Sequence, residues 1–435
     1  MSLKKIYSQS IIWRLFYVIT VLLQNIFFSR YFQAENAGWI YYLTNVLGLV
    51  VIICSLSLES GFTFFTANGE IEKPKIQLFA IIWIIILFLI GWATSGFFIL
   101  HINHNYPLSN SHLVFFCLIY VTGMVFNNYL LAMFYAVSNF FLPNLIIGLI
   151  NILIVLIIPK TTHLVNAGDS LILKLYFLLP SIQSGLLLIF YTLKYQTYNE
   201  VSFPSKSQVS KIVRFSFIAL SANIIFFLIN RADYYFVQKY CNKNDLGNYI
   251  LVSRLGQMLL IIPQVLASVV FPQIAKGDYK KEIINTIVFL TRLLSRLYLI
   301  ALVAVVLSGK FLFMLMFGST FNTMHIYFSL FIPGLFALSV LSLISAVFMG
   351  DGRVKVNFYG TLLGLFVLII GDWIFVPRFG AASAAIISSL AYIVNTSFSL
   401  SQLKRYYYID FKHILLWKKE ELVWIKSFAQ KKKVP

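Results

Sequence analysis

The sequence predicts an all-α membrane protein of about twelve transmembrane helices in two pseudo-symmetric six-helix lobes. Three observations carry that expectation. The first is solvent. Sixty per cent (60%) of the residues are hydrophobic and only 11% are charged. With a mean hydropathy of +0.84, a water-soluble fold could not bury the apolar surface this chain carries. The second is a succession of apolar windows of span length. The third is that a stretch at the second window recurs at the eighth.

In chain order the windows fall near residues 8–29, 38–66, 76–101, 111–138, 141–159 and 170–194. The opening "MSLKK" leads into the first without a small-residue cleavage site, so an uncleaved span is expected. The polar connection "NEVSFPSKSQVSK" at 199–211 separates the halves, and further windows lie near 212–237, 246–272, 288–308, 323–349, 355–376 and 381–403. The expected division is therefore residues 1–199 and 200–404 as lobes, with 405–435 as a basic amphipathic tail. In that tail Phe411, Ile414, Leu415, Leu422, Ile425 and Phe428 recur at helical spacing among lysines, which points to an interfacial helix and leaves partner docking open.

Charge is lopsided, with Lys and Arg 34 against Asp and Glu 15. The cations gather in connections and the tail rather than along one face, which disfavours a nucleic-acid partner. Placing both termini in the cytoplasm puts Lys73, Lys75, Lys206, Lys211, Lys276, Lys280, Lys281, Arg353, Lys355 and the tail inside. Outside remain chiefly Arg30, Lys160, Lys239, Lys243, Lys310 and Arg378, so the positive-inside rule favours this orientation. Cys54, Cys117 and Cys241 have neither metal spacing nor a framework of pairs.

The repeat is explicit. "RYFQAENAGWIYYLTNVLG" at 30–48 aligns with "KYCNKNDLGNYILVSRLGQ" at 239–257, so Tyr31 falls on Tyr240, Gly38 on Gly247 and Asn45 on Arg254. A weaker echo joins "AMFYAVSNF" at 132–140 to "AVFMGDGRV" at 346–354. Parallel repeats imply a pseudo-two-fold axis along the membrane normal and a cleft between the halves.

The stretches "RADYYFVQKYCNKNDLGNY" at 231–249, "IPQVLASVVFPQIAKGD" at 262–278, "FMGDGRVKVNFYGTLLG" and "VPRFGAASAAI" resemble the polysaccharide transport family. These are Wzx-type flippases of lipid-linked oligosaccharides, including O-antigen flippases. They sit in the multidrug/oligosaccharidyl-lipid/polysaccharide exporter superfamily beside the lipid II flippases and the multidrug and toxin extruders (MATE). The resemblance runs in order along nearly the whole chain. It implies a MATE-like architecture and a bacterial inner-membrane location. It also implies a polyprenyl-diphosphate-linked glycan as substrate, and a polysaccharide polymerase or chain-length regulator as a partner class. The two extra C-terminal spans of lipid II flippases are not found here.

Such a substrate requires replacement of the water around a diphosphate, for which fixed guanidinium groups are suited. Arg14 on the first span and Arg254 on the eighth are the candidates, expected near mid-membrane. Asn25 lies on nearly the face of Arg14, and Gln257, Gln264 and Ser268 lie within about a quarter-turn of Arg254. By the repeat, Arg254 corresponds to Asn45 and Arg14 to Asn223, which suggests one diphosphate site built from both halves. The alternative for Arg14 is snorkelling to headgroups.

The run "FSFIALSANIIFFLINRADYYFV" places Ser216, Asn223 and Asn230 on one helix face with Asp233 nearby. A wet face lined for sugar hydroxyls is one reading and an inter-helix packing bond is the other. Asp233 and Glu59 are also the candidates for coupling to a proton or sodium gradient, since an intramembrane carboxylate can exchange charge. Arg292 and Arg296 are expected to anchor at an interface, and Lys174 and Asp372 to contact headgroups. "HINH" at 101–104 with His112 has no completing carboxylate or cysteine, so no metal and no bound cofactor are expected.

Three function classes remain: flippase, multidrug extruder, and membrane polysaccharide polymerase or ligase. Two arginines and few carboxylates disfavour cationic drugs. Short outer loops and the lack of a catalytic constellation disfavour an enzyme.

Overall fold

The computed structural model describes residues 3–101, 110–158, 171–195, 202–264, 266–267, 274 and 280–409. Everything regular in them is helical: α1 Leu3–Ser55, α2 Leu58–Ala67, α3 Lys73–His101, α4 Asn110–Ala136, α5 Phe141–Ile157, α6 Leu171–Tyr195 and α7 Lys206–Arg231. After a one-residue interruption come α8 Asp233–Tyr240, α9 Lys243–Leu259, α10 Lys280–Phe317, α11 Met324–Gly350, α12 Val354–Phe379 and α13 Ala381–Tyr407. Ten of the described stretches are long and apolar enough to cross a membrane. One of these, within α1, suffices for two crossings, and α5 is a shorter apolar helix. The protein is therefore a multi-pass membrane protein, and these crossings correspond to the windows read from the sequence.

The joins have local causes. Gln33, at φ 58°, bends α1 where the first window ends. Leu56 and Ser57, at φ 49° and 51°, place two consecutive left-handed residues in what the sequence presents as one span, and separate α1 from α2. Non-glycine residues rarely adopt this region, so the break must be held by its surroundings. Ser138, at φ 57°, turns α4 into α5.

The backbone forms two compact units, Met1–Arg231 with Met316–Phe321, and Ala232–Leu315 with Asn322–Pro435. In the first, α4 packs on α6, α1 on α5, and α7 on α2. In the second, α11, α12 and α13 pack closely, with α9 on α11 and α8 on α12. The second core depends on small residues. A Cβ at Gly334 would lie 2.6 Å from Ser389 Cα, and one at Gly371 2.6 Å from Ile387 Cγ2. Close backbone approach of this kind is how helices associate where burial of apolar surface gives no driving force. Outward faces are correspondingly apolar: Trp92, Leu193 and Leu307 are 64%, 73% and 83% exposed.

Candidate functional site

In the first unit, Arg14 is the most distinctive cation. Its guanidinium carbon lies 5.1 Å from the ring centre of Tyr135 on α4 and 5.5 Å from that of Phe140, just before α5. The Arg14 side chain is also within electrostatic reach of the Tyr135 hydroxyl. That hydroxyl donates to Asn144 Oδ1 at 3.0 Å, and Asn144 Nδ2 donates to Phe140 O at 2.7 Å. Arg14 Nε is buried without a hydrogen-bond partner among the described residues. Arg14 therefore lies level with the α4–α5 turn, at one end of the unit. The expected mid-span position is corrected, because the aromatic residues that hold the guanidinium belong to that turn.

Glu59 occupies the first turn of α2, beside Ser55 and Tyr129. Its Oε2 is buried with no partner among the described residues. Three neighbouring helices hold the break just before it. Tyr129 Oη donates to Ser55 O at 2.8 Å, Trp83 Nε1 to Cys54 O at 3.0 Å, and Asn223 Nδ2 to Ser57 Oγ at 3.0 Å. The first two bonds satisfy carbonyls that end a helix, which otherwise would be costly to bury.

The α7 face was expected to be wet along Ser216, Asn223 and Asn230. Ser216 is instead 0% exposed, and its Oγ would be 2.6 Å from a Cβ at Gly61. The glycine lets α2 close on α7 there, so this part of the face is a packing seam. Asn230 Nδ2 bonds back to Phe226 O at 2.7 Å. Asn25 is 8% exposed and its carbonyl accepts from Tyr41 Oη at 3.5 Å, while Asn45 is half-buried on α1.

Sequence reasoning missed a chain of neutral polar groups inside this unit. Asn127 Nδ2 on α4 donates to Gln183 Oε1 on α6 at 3.1 Å, and Gln183 Nε2 donates to Asn151 Oδ1 on α5 at 2.9 Å. Asn151 Nδ2 then reaches Thr20 Oγ1 on α1 at 3.3 Å. Four helices are thus tied by one network whose members are all buried. The available signal was three lone amides in otherwise apolar windows.

In the second unit, Asp233 is 1% exposed and opens α8. Its Oδ1 accepts from Tyr234 N at 3.0 Å, and its Oδ2 from Tyr249 Oη at 2.5 Å and Ser388 Oγ at 3.1 Å. Asp372 on α12 lies within electrostatic reach of Asp233 and Tyr249. It is 0% exposed, and neither of its oxygens has a hydrogen-bond partner among the described residues. The expected headgroup role of Asp372 is corrected: α8 packs on α12, and Gly371 admits Ile387 of α13, so position 372 faces inward. The oxygens of two carboxylates buried this deep form a set of acceptors suited to a proton or a cation. Tyr249 and Ser388 add hydroxyl oxygens to that set.

Arg254 is half-buried on α9, and Gln264 is exposed. Gln257 lines a small cavity with Ser253, Gly256, Phe331, Leu335 and Tyr392, with room for about one water molecule. It therefore faces the interior of its own unit. Arg292, expected at an interface, is only 4% exposed within α10. Ser268, His104 and the tail beyond Ile409 lie outside the described residues. Among the described residues no group of three or more His, Cys, Asp or Glu gathers as metal ligands.

Residues 178–326 match the family described as "Polysaccharide biosynthesis protein". No curated protein matches the chain. Among solved structures, the lipid II flippase MurJ in its inward closed conformation superposes with a TM-score of 0.68 at 16% identity, covering 91% of this chain and 87% of that one. An inward-facing multidrug resistance MATE family transporter of the MOP superfamily gives 0.67 at 16% identity, with 94% and 97% covered. A MOP superfamily transporter from Pyrococcus furiosus gives 0.61 at 15% identity, with 92% and 94% covered. The chain shares its fold with these proteins, and the family match over residues 178–326 agrees with the resemblance read from the sequence.

Proposed function

We propose that this chain is an alternating-access flippase that moves a polyprenyl-diphosphate-linked oligosaccharide across the bacterial inner membrane. Its cargo is a repeat unit of O-antigen, capsule or exopolysaccharide, delivered from the cytoplasmic to the outer leaflet, with both termini cytoplasmic. It performs no covalent chemistry. The observation that carries this reading is Arg14. A guanidinium is held against two aromatic rings in a membrane helix, with a buried N–H unmatched and no acidic partner among the described residues. A cation kept in such surroundings favours an anionic ligand. The diphosphate of a lipid-linked glycan is that anion. Arg254 is the other candidate guanidinium, and Asn25, Asn45, Asn223, Asn230, Gln257 and Gln264 remain candidates for polar contact to the head group.

The Asp233–Asp372 pair, with Tyr249 and Ser388, is the leading candidate for coupling to a proton or sodium gradient, with Glu59 as the alternative. Exchange of one charge in a buried carboxylate pair changes the stability of its unit, and the transport cycle can use that difference. The same pair supports a second reading, a cation-coupled multidrug extruder on the same fold. Complementation of a flippase-deficient strain, run beside efflux of an ethidium-like cation, separates the two: glycan delivery without efflux supports the flippase, and efflux alone supports the extruder.

A further inference from the structure

The groups around Arg14 have only one consistent hydrogen-bond direction. A guanidinium only donates, so toward the Arg14 side chain, which lies within its electrostatic reach, the Tyr135 oxygen can act only as an acceptor. The Tyr135 proton is then free to go to Asn144 Oδ1, and the Asn144 amide protons turn to Phe140 O. This leaves a chain of donors that starts at the cation and ends on the backbone of the α4–α5 turn. The same turn supplies the second aromatic face, Phe140, at 5.5 Å. Trp13 packs edge-on against Phe141 at 4.5 Å, which fixes α1 against the start of α5 one residue from the cation. Everything around the guanidinium is thus arranged to hold it, while its buried Nε has no acceptor among the described residues.

We propose that Tyr135 is a positioning residue for Arg14: its ring and hydroxyl, braced by Asn144, aim the guanidinium so that it meets a phosphoryl oxygen at the α4–α5 end of the unit. The inference rests on the reading of Arg14 as a diphosphate-binding group and adds the residue that orients it. On this reading Arg14→Lys should restore function only in part. An ammonium could sit over the rings but has no planar edge for them to aim.

The test uses the full-length protein in discs of neutral lipid, with geranylgeranyl diphosphate as probe and calorimetry as readout. Tyr135→Leu should weaken binding roughly tenfold, the scale of a desolvated cation–π contact. Tyr135→Phe keeps the ring and the packing but loses the bond to Asn144, and should weaken binding about threefold, the scale of that one neutral hydrogen bond. In an Arg14→Ala background neither change should weaken binding further, since nothing is left to aim. Further weakening there makes Tyr135 merely structural and overturns the proposal. Wild-type affinity in both Tyr135 variants beside a weakened Arg14→Ala overturns the positioning role alone, whereas wild-type affinity in Arg14→Ala overturns the binding reading as well. Displacement of the probe by phosphatidylglycerol at comparable concentration assigns the anion to a lipid headgroup and overturns the substrate assignment.

Discussion

The Tyr249 hydroxyl donates a 2.5 Å hydrogen bond to Asp233 Oδ2 in the interior of the second unit, within electrostatic reach of Asp372. Nothing in the spacing of these three residues announces the contact. It arises because α8 and α9 bring two sequence neighbours together and α12 adds a third from more than a hundred residues away. The pair also has a clear chemical consequence, since an amide at either acidic position keeps the shape but removes the exchangeable charge.

Asp372→Asn and Asp233→Asn should each still bind the glycan lipid while losing dependence on the imposed proton or sodium gradient. Reconstituted vesicles with each gradient set separately give the measurement. Normal gradient dependence in both variants would remove this pair as the coupling site and leave Glu59→Gln as the next variant to examine.

Arg14→Ala and Arg254→Ala should each abolish glycan delivery at matched expression, and lysine should restore only part of it. The reason is geometric: lysine keeps a charge but not the bidentate fork that a diphosphate meets. Complementation of a flippase-deficient strain reads this directly. Wild-type delivery by both alanine variants would sink the assignment of the arginines.

Gln183→Leu should destabilise the first unit by about 1–3 kcal/mol, because Asn127 and Asn151 lose their shared partner while still buried. Adding apolar replacements at both asparagines should recover part of the loss, since the stranded groups are then gone. Thermal unfolding in detergent measures both, and a Gln183→Leu variant as stable as the parent would show that the network contributes nothing.

Gly334→Ala should cost about 1–3 kcal/mol by overpacking, as the new methyl group would meet the Ser389 backbone 2.6 Å away. Gly96→Ala, with nothing within 4 Å of its Cβ position, is the matched control and should be neutral or slightly stabilising. Equal melting temperatures for the two variants would contradict the close α11–α13 approach.

Span positions were legible in the sequence because bilayer thickness fixes how many apolar residues a crossing needs, and that number is readable without contacts. The Leu56–Ser57 break was not legible. It sits inside a continuous apolar window with no Pro and with no Gly between Gly48 and Gly61, and it is held by Trp83, Tyr129 and Asn223 from elsewhere in the chain. The site was legible only as residue types. Arg14, Asp233 and Glu59 stand out because charge is rare in hydrocarbon. Asp372 also stood out, but its height in the window suggested a headgroup contact, and only packing around Gly371 shows that it points inward. Tyr135 and Asn144 gave no signal, since a tyrosine beside a turn and an asparagine in a helix become informative only when Arg14 is seen against the Tyr135 ring.

The central claim is transport of an anionic lipid-linked glycan, and vesicle reconstitution tests it most directly. The purified protein is placed in vesicles loaded on one leaflet with a polyprenyl-diphosphate oligosaccharide, and its appearance on the other leaflet is followed with a membrane-impermeant glycosidase. The account predicts gradient-stimulated translocation that is lost in Arg14→Ala, with no uptake of ethidium in parallel vesicles. Ethidium uptake without glycan translocation would contradict it.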